Sequence, residues 1–183
     1  QWASIVNCLC YSECVSETIW NLADPSEINA SLDLPIGNVS FSPNNQQVIF
    51  SRRQIFGFEE SALYVSPVDL SAPVSIFSIP GTAPIDEAWS PDGKWIAFTS
   101  ISPDSGGLPQ TNGKLILIRP DGSGQKIIEA DNAQFLAWSP QGTALLYSKV
   151  DGGSKQLYIY DLLNGTKTLL PFSIDDYRQD VIN

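Results

Sequence analysis

Cys8, Cys10 and Cys14 stand in one short run, Cys-Leu-Cys-Tyr-Ser-Glu-Cys, and are the only cysteines of the chain. Three thiolates could contribute to a metal centre, but a structural zinc takes four ligands and this spacing matches no zinc-ribbon pattern. Haem attachment needs Cys-x-x-Cys-His, which is absent. A disulfide within the run suits an exported protein, with Cys8–Cys14 and Cys10–Cys14 as the alternative pairs. Cys8 and Cys10 are poorly placed to bridge each other, because the chain between them would have to fold sharply to meet disulfide geometry. The third cysteine is then free, paired outside the run or joined to another chain. A reduced run and metal ligation stand as the other readings.

A second group of chemistry-bearing residues is Arg52-Arg53-Gln54-Ile55-Phe56-Gly57-Phe58-Glu59-Glu60. Aromatic side chains beside arginines are the composition of protein-interface hot spots, so Arg52, Arg53, Phe56 and Phe58 are the expected partner contacts. The structural alternative is that both phenylalanines fold back over the sheet. Histidine is absent, which excludes a His-based triad, a histidine zinc site and a histidine general base within these residues. No catalytic residue is expected. Ten Lys and Arg against twenty Asp and Glu give a net charge of −10. That balance argues against nucleic acid or an anionic membrane surface as the main partner. With 43% hydrophobic and 16% charged residues the chain folds around a core. No apolar run reaches the roughly 18 residues of a membrane span.

The elements that must hold these residues are announced by a repeat. Val39-Ser40-Phe41-Ser42-Pro43, Glu87-Ala88-Trp89-Ser90-Pro91 and Leu136-Ala137-Trp138-Ser139-Pro140 superimpose, with serines 48 and 49 residues apart. Each is followed at the same distance by a second aromatic residue: Phe50, Phe98 and Tyr147. Proline presets the backbone of a tight turn and glycine accepts positive φ, as in Ser90-Pro91-Asp92-Gly93, so the chain reverses into another strand. Ser42, Ser90 and Ser139 are therefore turn residues rather than nucleophiles. Third strands follow at 62–65, 115–118 and 157–160, and fourth strands at 126–128 and 168–170. Four short antiparallel strands per period of about 40–50 residues describe a propeller blade. No segment sustains the apolar spacing of a helix. Trp89 and Trp138 are expected to pack between blades.

The run Trp89-Ser90-Pro91-Asp92-Gly93-Lys94-Trp95-Ile96-Ala97-Phe98 resembles the core repeat of TolB-like β-propellers, and 138–142 and 41–45 are weaker copies. The resemblance covers nearly the whole chain. It implies an all-β propeller of four-stranded antiparallel blades, and a non-catalytic scaffold for protein–protein interaction outside the cytoplasm, periplasmic or secreted. The same blades form the substrate-gating propeller of prolyl oligopeptidase-like hydrolases, whose catalytic domain would lie outside these residues, and carbohydrate-binding propellers are a further alternative. Fold does not choose among them.

In phase with the repeat, residues 1–35 form a partial blade, 36–84, 85–134 and 135–174 three blades, and 175–183 begin another. That is about four blades' worth, expected to belong to a ring of about six to eight, with the remaining blades supplied by this or another chain. The alternative is closure as a four-bladed ring. The long connections Asn7–Glu17, Arg52–Ser61 and Ile101–Gly113 and the short Asp151–Lys155 mark one face as the place for a partner. Asp86, Glu87, Glu129, Asp131, Asp175, Asp176 and Asp180 recur before first strands and place carboxylates near one mouth of the channel. They are expected to form a solvated acidic rim with no cofactor; a calcium ion is the alternative occupant.

Overall fold

A computed structural model describes residues 2–9, 13–21, 28–32, 36–52, 61–103 and 112–173; for 2–38 and 172–173 it describes the backbone alone. The described residues form strands and turns and no helix. β1 (Trp2–Leu9), β2 (Glu13–Asn21) and β3 (Ile28–Leu32) make a three-stranded sheet. β4 (Ile36–Phe41), β5 (Gln47–Arg52), β6 (Ala62–Pro67) and β7 (Val74–Ser78) make a four-stranded one. β8 (Ala83–Trp89), β9 (Ile96–Ile101), β10 (Gly113–Ile118), β11 (Lys126–Trp138), β12 (Ala144–Asp151), β13 (Ser154–Asp161) and β14 (Lys167–Ser173) follow in sequence order in a seven-stranded sheet. Every pairing is antiparallel and joins strands adjacent in sequence.

The seven-stranded sheet is two blades joined through β11. The first part of β11 pairs with β10, from Leu117↔Lys126 to Gly113↔Ala133, and the last part pairs with β12, from Ala133↔Lys149 to Trp138↔Leu145. The sequence reads these as separate strands. In the structure β11 runs unbroken through the junction, with a single left-handed residue, Asn132 at φ 52°, so one strand closes a blade and opens the next. The first connection also differs from expectation. Between Asn7 and Glu17 the strands run on to Leu9 and resume at Glu13, forming a hairpin in place of a long loop.

The repeated turns are built by the same hydrogen bonds. The serine N–H bonds the carbonyl that opens the next strand, Ser42 to Gln47 at 2.9 Å, Ser90 to Trp95 at 2.7 Å and Ser139 to Ala144 at 2.8 Å. The serine hydroxyl accepts the returning N–H of Gln47, Trp95 or Ala144 at 2.9, 2.9 and 3.0 Å. Asn45, Gly93 and Gly142 take φ of 55°, 72° and 69° to complete the reversal. The first two serines also donate their hydroxyls to Asn44 and Asp92, each at 2.7 Å.

Between these turns the strands alternate strictly. Ile96 and Phe98 of β9, with Ile116 and Ile118 of β10, pack with Ile49, Leu63, Val65, Phe77 and Trp89 toward the preceding blade. Ala97, Leu115 and Leu117 point the other way, into a second cluster with Ile128, Ala133, Phe135, Leu145 and Tyr147. The blade of β8–β10 is thus buried on both faces, which accounts for its unbroken apolar runs. Phe77 and Phe98 meet edge to face across the first interface, with centroids 4.7 Å apart.

Candidate interaction surfaces

Strand β5 carries Val48, Ile49, Phe50 and Ser51 buried and ends on an exposed Arg52. Arg52 lies between Ile36 of β4 and Ala62 of β6 in register, so a rigid sheet fixes its backbone. Arg53, Phe56 and Phe58 lie outside the described residues. Cys8 of β1 is in register with Cys14 of β2; Cys10 lies outside the described residues, as do Asp175, Asp176 and Asp180.

The remaining carboxylates do not form one rim. Glu87 is buried, 5% exposed, and its Oε1 accepts the N–H of Ser51 at 2.9 Å across the blade interface. One period later the same seam is made in the opposite sense: the Phe135 N–H donates to the Thr99 hydroxyl at 2.8 Å. Asp86, at φ 56°, accepts from Gln134 Nε2 at 3.1 Å, and Gln134 Oε1 accepts from Lys155 at 2.8 Å. Asp131 is exposed.

Glu129 is the centre of a buried network. Its Oε1 accepts the Tyr147 hydroxyl at 2.7 Å and lies 2.9 Å from Lys167 Nζ, and its Oε2 accepts from Lys149 Nζ at 2.9 Å. Lys167 also donates to the Ile128 carbonyl at 2.6 Å. Burial works to raise the Glu129 carboxyl, but the hydrogen bonds from Lys167, Lys149 and Tyr147 outweigh it and hold the group below its ordinary value. Burial, then the Glu129 hydrogen bond and charge, push the Tyr147 phenol up. Two ammonium groups and a phenol occupy the oxygens of Glu129, which ties β11 to β12 and β14. Among the described residues, no three His, Cys, Asp or Glu side chains group as a metal-binding set.

The opposite end of the blade carries a feature that the sequence reading passed over. Trp95, half-buried before β9, lies 5.2 Å from the Arg119 guanidinium carbon and 4.9 Å from Lys126 Nζ, measured to its ring centroid. Cross-strand register explains the grouping: Ile96 opposes Ile118, which brings Trp95 beside Arg119, and Lys126 opposes Leu117. The usable sequence signal was the tryptophan after the Pro-Asp-Gly turn facing the arginine that opens the next turn. Both cations are exposed, and cation–π contacts of this kind contribute about 0.5–1 kcal/mol.

No family model matches the chain, and no curated protein matches it either. Solved structures do. TolB from Acinetobacter baumannii superimposes with a TM-score of 0.62 at 22% identity, over 88% of this chain and 38% of that one. A chain of a nidogen/laminin complex gives 0.61 at 10% identity, over 92% of this chain and 61% of that one. A prolyl endopeptidase gives 0.64 at 17% identity, over 85% of this chain and 23% of that one. The chain thus spans about two fifths of the TolB length and less than a quarter of the peptidase. These likenesses establish the β-propeller fold, of the kind found in TolB.

Proposed function

We propose that the chain is a non-catalytic propeller scaffold that binds protein partners outside the cytoplasm through the connections following second strands. The observation that carries this reading is the display of Arg52. It is an exposed cation at the end of a strand whose four preceding residues are buried, so it is displayed from a strand anchored in the sheet. Preorganised presentation lowers the ordering cost of binding. Structures of TolB and of a nidogen/laminin complex on the same fold support a binding role. Further blades, from this polypeptide or another, complete the ring in this reading. Leu146, Leu157 and Ile159 face the side that would receive them, at the register positions of Ala97, Leu115 and Leu117. No cofactor enters the reading. Replacing Arg52, Arg53, Phe56 and Phe58 together by alanine should abolish recovery of a partner by affinity capture from native extract; unchanged recovery of every partner would sink the assignment.

The likeness to a prolyl endopeptidase supports a second reading, a propeller that gates access to a hydrolase domain lying outside these residues. Peptidase activity in the product of the complete gene, lost when a Gly-x-Ser-x-Gly serine beyond these residues is replaced, would select it.

A further inference from the structure

We propose that Cys8 and Cys14 are joined by a cross-strand disulfide and that Cys10 keeps its thiol. The inference rests on register. Along β1 and β2, Trp2↔Asn21 to Asn7↔Ser16 run in one phase; the pairing then shifts by one residue, giving Cys8↔Cys14 and Leu9↔Glu13. The shift passes over Val15, which has no partner in β1. Without that bulge Cys8 would face Val15, and Cys14 would face Leu9. A bulge re-aims the residues beyond it, and here it sets the two cysteines directly opposite one another. Directly opposed antiparallel residues have Cα atoms about 4.5–5.5 Å apart, inside the window of about 4.4–6.8 Å that a disulfide requires. Of the two pairs that the sequence left open, the backbone thus selects Cys8–Cys14.

Formation is a two-step exchange with a small-molecule disulfide such as oxidised glutathione. One cysteine thiolate attacks it and displaces a glutathione thiolate; the second cysteine thiolate attacks the mixed disulfide and displaces the other. The protein loses two protons and two electrons, and the oxidant leaves as two thiols. The product closes the hairpin and leaves one of the three thiols unoxidised.

The test is peptide mapping of the full chain after equilibration in an oxidised/reduced glutathione buffer and alkylation. Lys and Arg are absent before Arg52, so cleavage after Glu13 and after Leu9 and Tyr11 is used to separate the three cysteines. The expected result is a Cys8–Cys14 linked peptide, two hydrogens lighter than its parts, with Cys10 alkylated. Cys10→Ser should retain the link in full, and Cys14→Ser should lose it. Three alkylated thiols in the oxidising buffer, or a link that contains Cys10, would overturn the proposal.

Discussion

The indole N–H of Trp138 donates to the backbone carbonyl of Ala88 at 3.2 Å, one blade back. Trp89 repeats the bond to the carbonyl of Ser40, also at 3.2 Å. Ser40 and Ala88 each precede the aromatic residue of their own repeat, so every such bond joins the same position of one blade to the next. A sheet pair that has buried its apolar faces can still slide. A directional bond from a large, half-fixed ring to a strand carbonyl sets the offset between blades.

Replacing Trp138 by phenylalanine keeps most of the ring packing and removes this bond, as Phe41 does naturally in the first repeat. The expected loss is about 1 kcal/mol, read as a lower urea midpoint at unchanged slope. Trp89→Phe should cost more, since Trp89 is 8% exposed and belongs to the core cluster. Equal stability of both variants and the parent would show that the indole bonds carry nothing.

Glu129 should give the molecule an acid-sensitive joint. Its carboxyl titrates below the ordinary value of 4.5 in the folded chain, so between the two values the unfolded chain binds more protons. Stability from this group is therefore present above the unfolded value and lost as pH falls through the folded one. Lys149 has the opposite sign: its hydrogen bond to Glu129 raises it above 10.5, against a smaller opposing effect of burial. Its share is present below that value and lost as pH rises through the folded one. Urea midpoints of Glu129→Gln should fall less steeply than those of the parent from about pH 6 to pH 3. Parallel curves would assign the acid response to other groups.

Glu129→Ala should be the harsher change, because it leaves the Tyr147 hydroxyl and two ammonium groups without their shared acceptor. A loss of about 2–4 kcal/mol is expected, whereas Lys167→Ala, at a half-exposed partner, should cost under about 1 kcal/mol. Thermal unfolding of the two variants side by side decides it; equal losses would contradict the network.

Gly113 opens β10 against β9, where an added Cβ would overlap the carbonyl oxygen of Ser100. Gly113→Ala should force the strands apart and cost about 2 kcal/mol or more. Gly152 is a control: its surroundings are open but its φ is 57°, so alanine there should cost only the backbone penalty of about 1–2 kcal/mol. A Gly113→Ala variant as stable as Gly152→Ala would mean that the strand spacing is looser than described.

The parts of the fold legible in the sequence are those written in local chemistry. Ser90-Pro91-Asp92-Gly93 closes its turn with bonds between residues at most five apart, so residue types at fixed offsets announce it. Alternation in β9 and β10 marks two buried faces for the same reason. What escaped depends on partners brought from far away. Glu87 reads as a rim carboxylate, and is instead turned inward by the Ser51 N–H of the preceding blade. Glu129 and Asp131 read as carboxylates preceding a first strand, and instead lie within β11, which β10 and β12 claim on either side. The grouping of Arg119 and Lys126 about Trp95 follows from cross-strand register, which residue spacing alone does not display. Of the expected partner contacts, Arg53, Phe56 and Phe58 lie outside the described residues, and Arg52 ends β5 exposed.

A strand that belongs to two blades also settles what can be removed or exchanged as a piece. In most tandem arrays the joint between neighbours is a loop, and one module can be deleted or transplanted there. Here a cut within β11 strips an outer strand from one blade and an inner strand from its neighbour. Residues 83–173 should accordingly behave as a single heritable cassette, opening together in hydrogen exchange and recombining only at its outer borders.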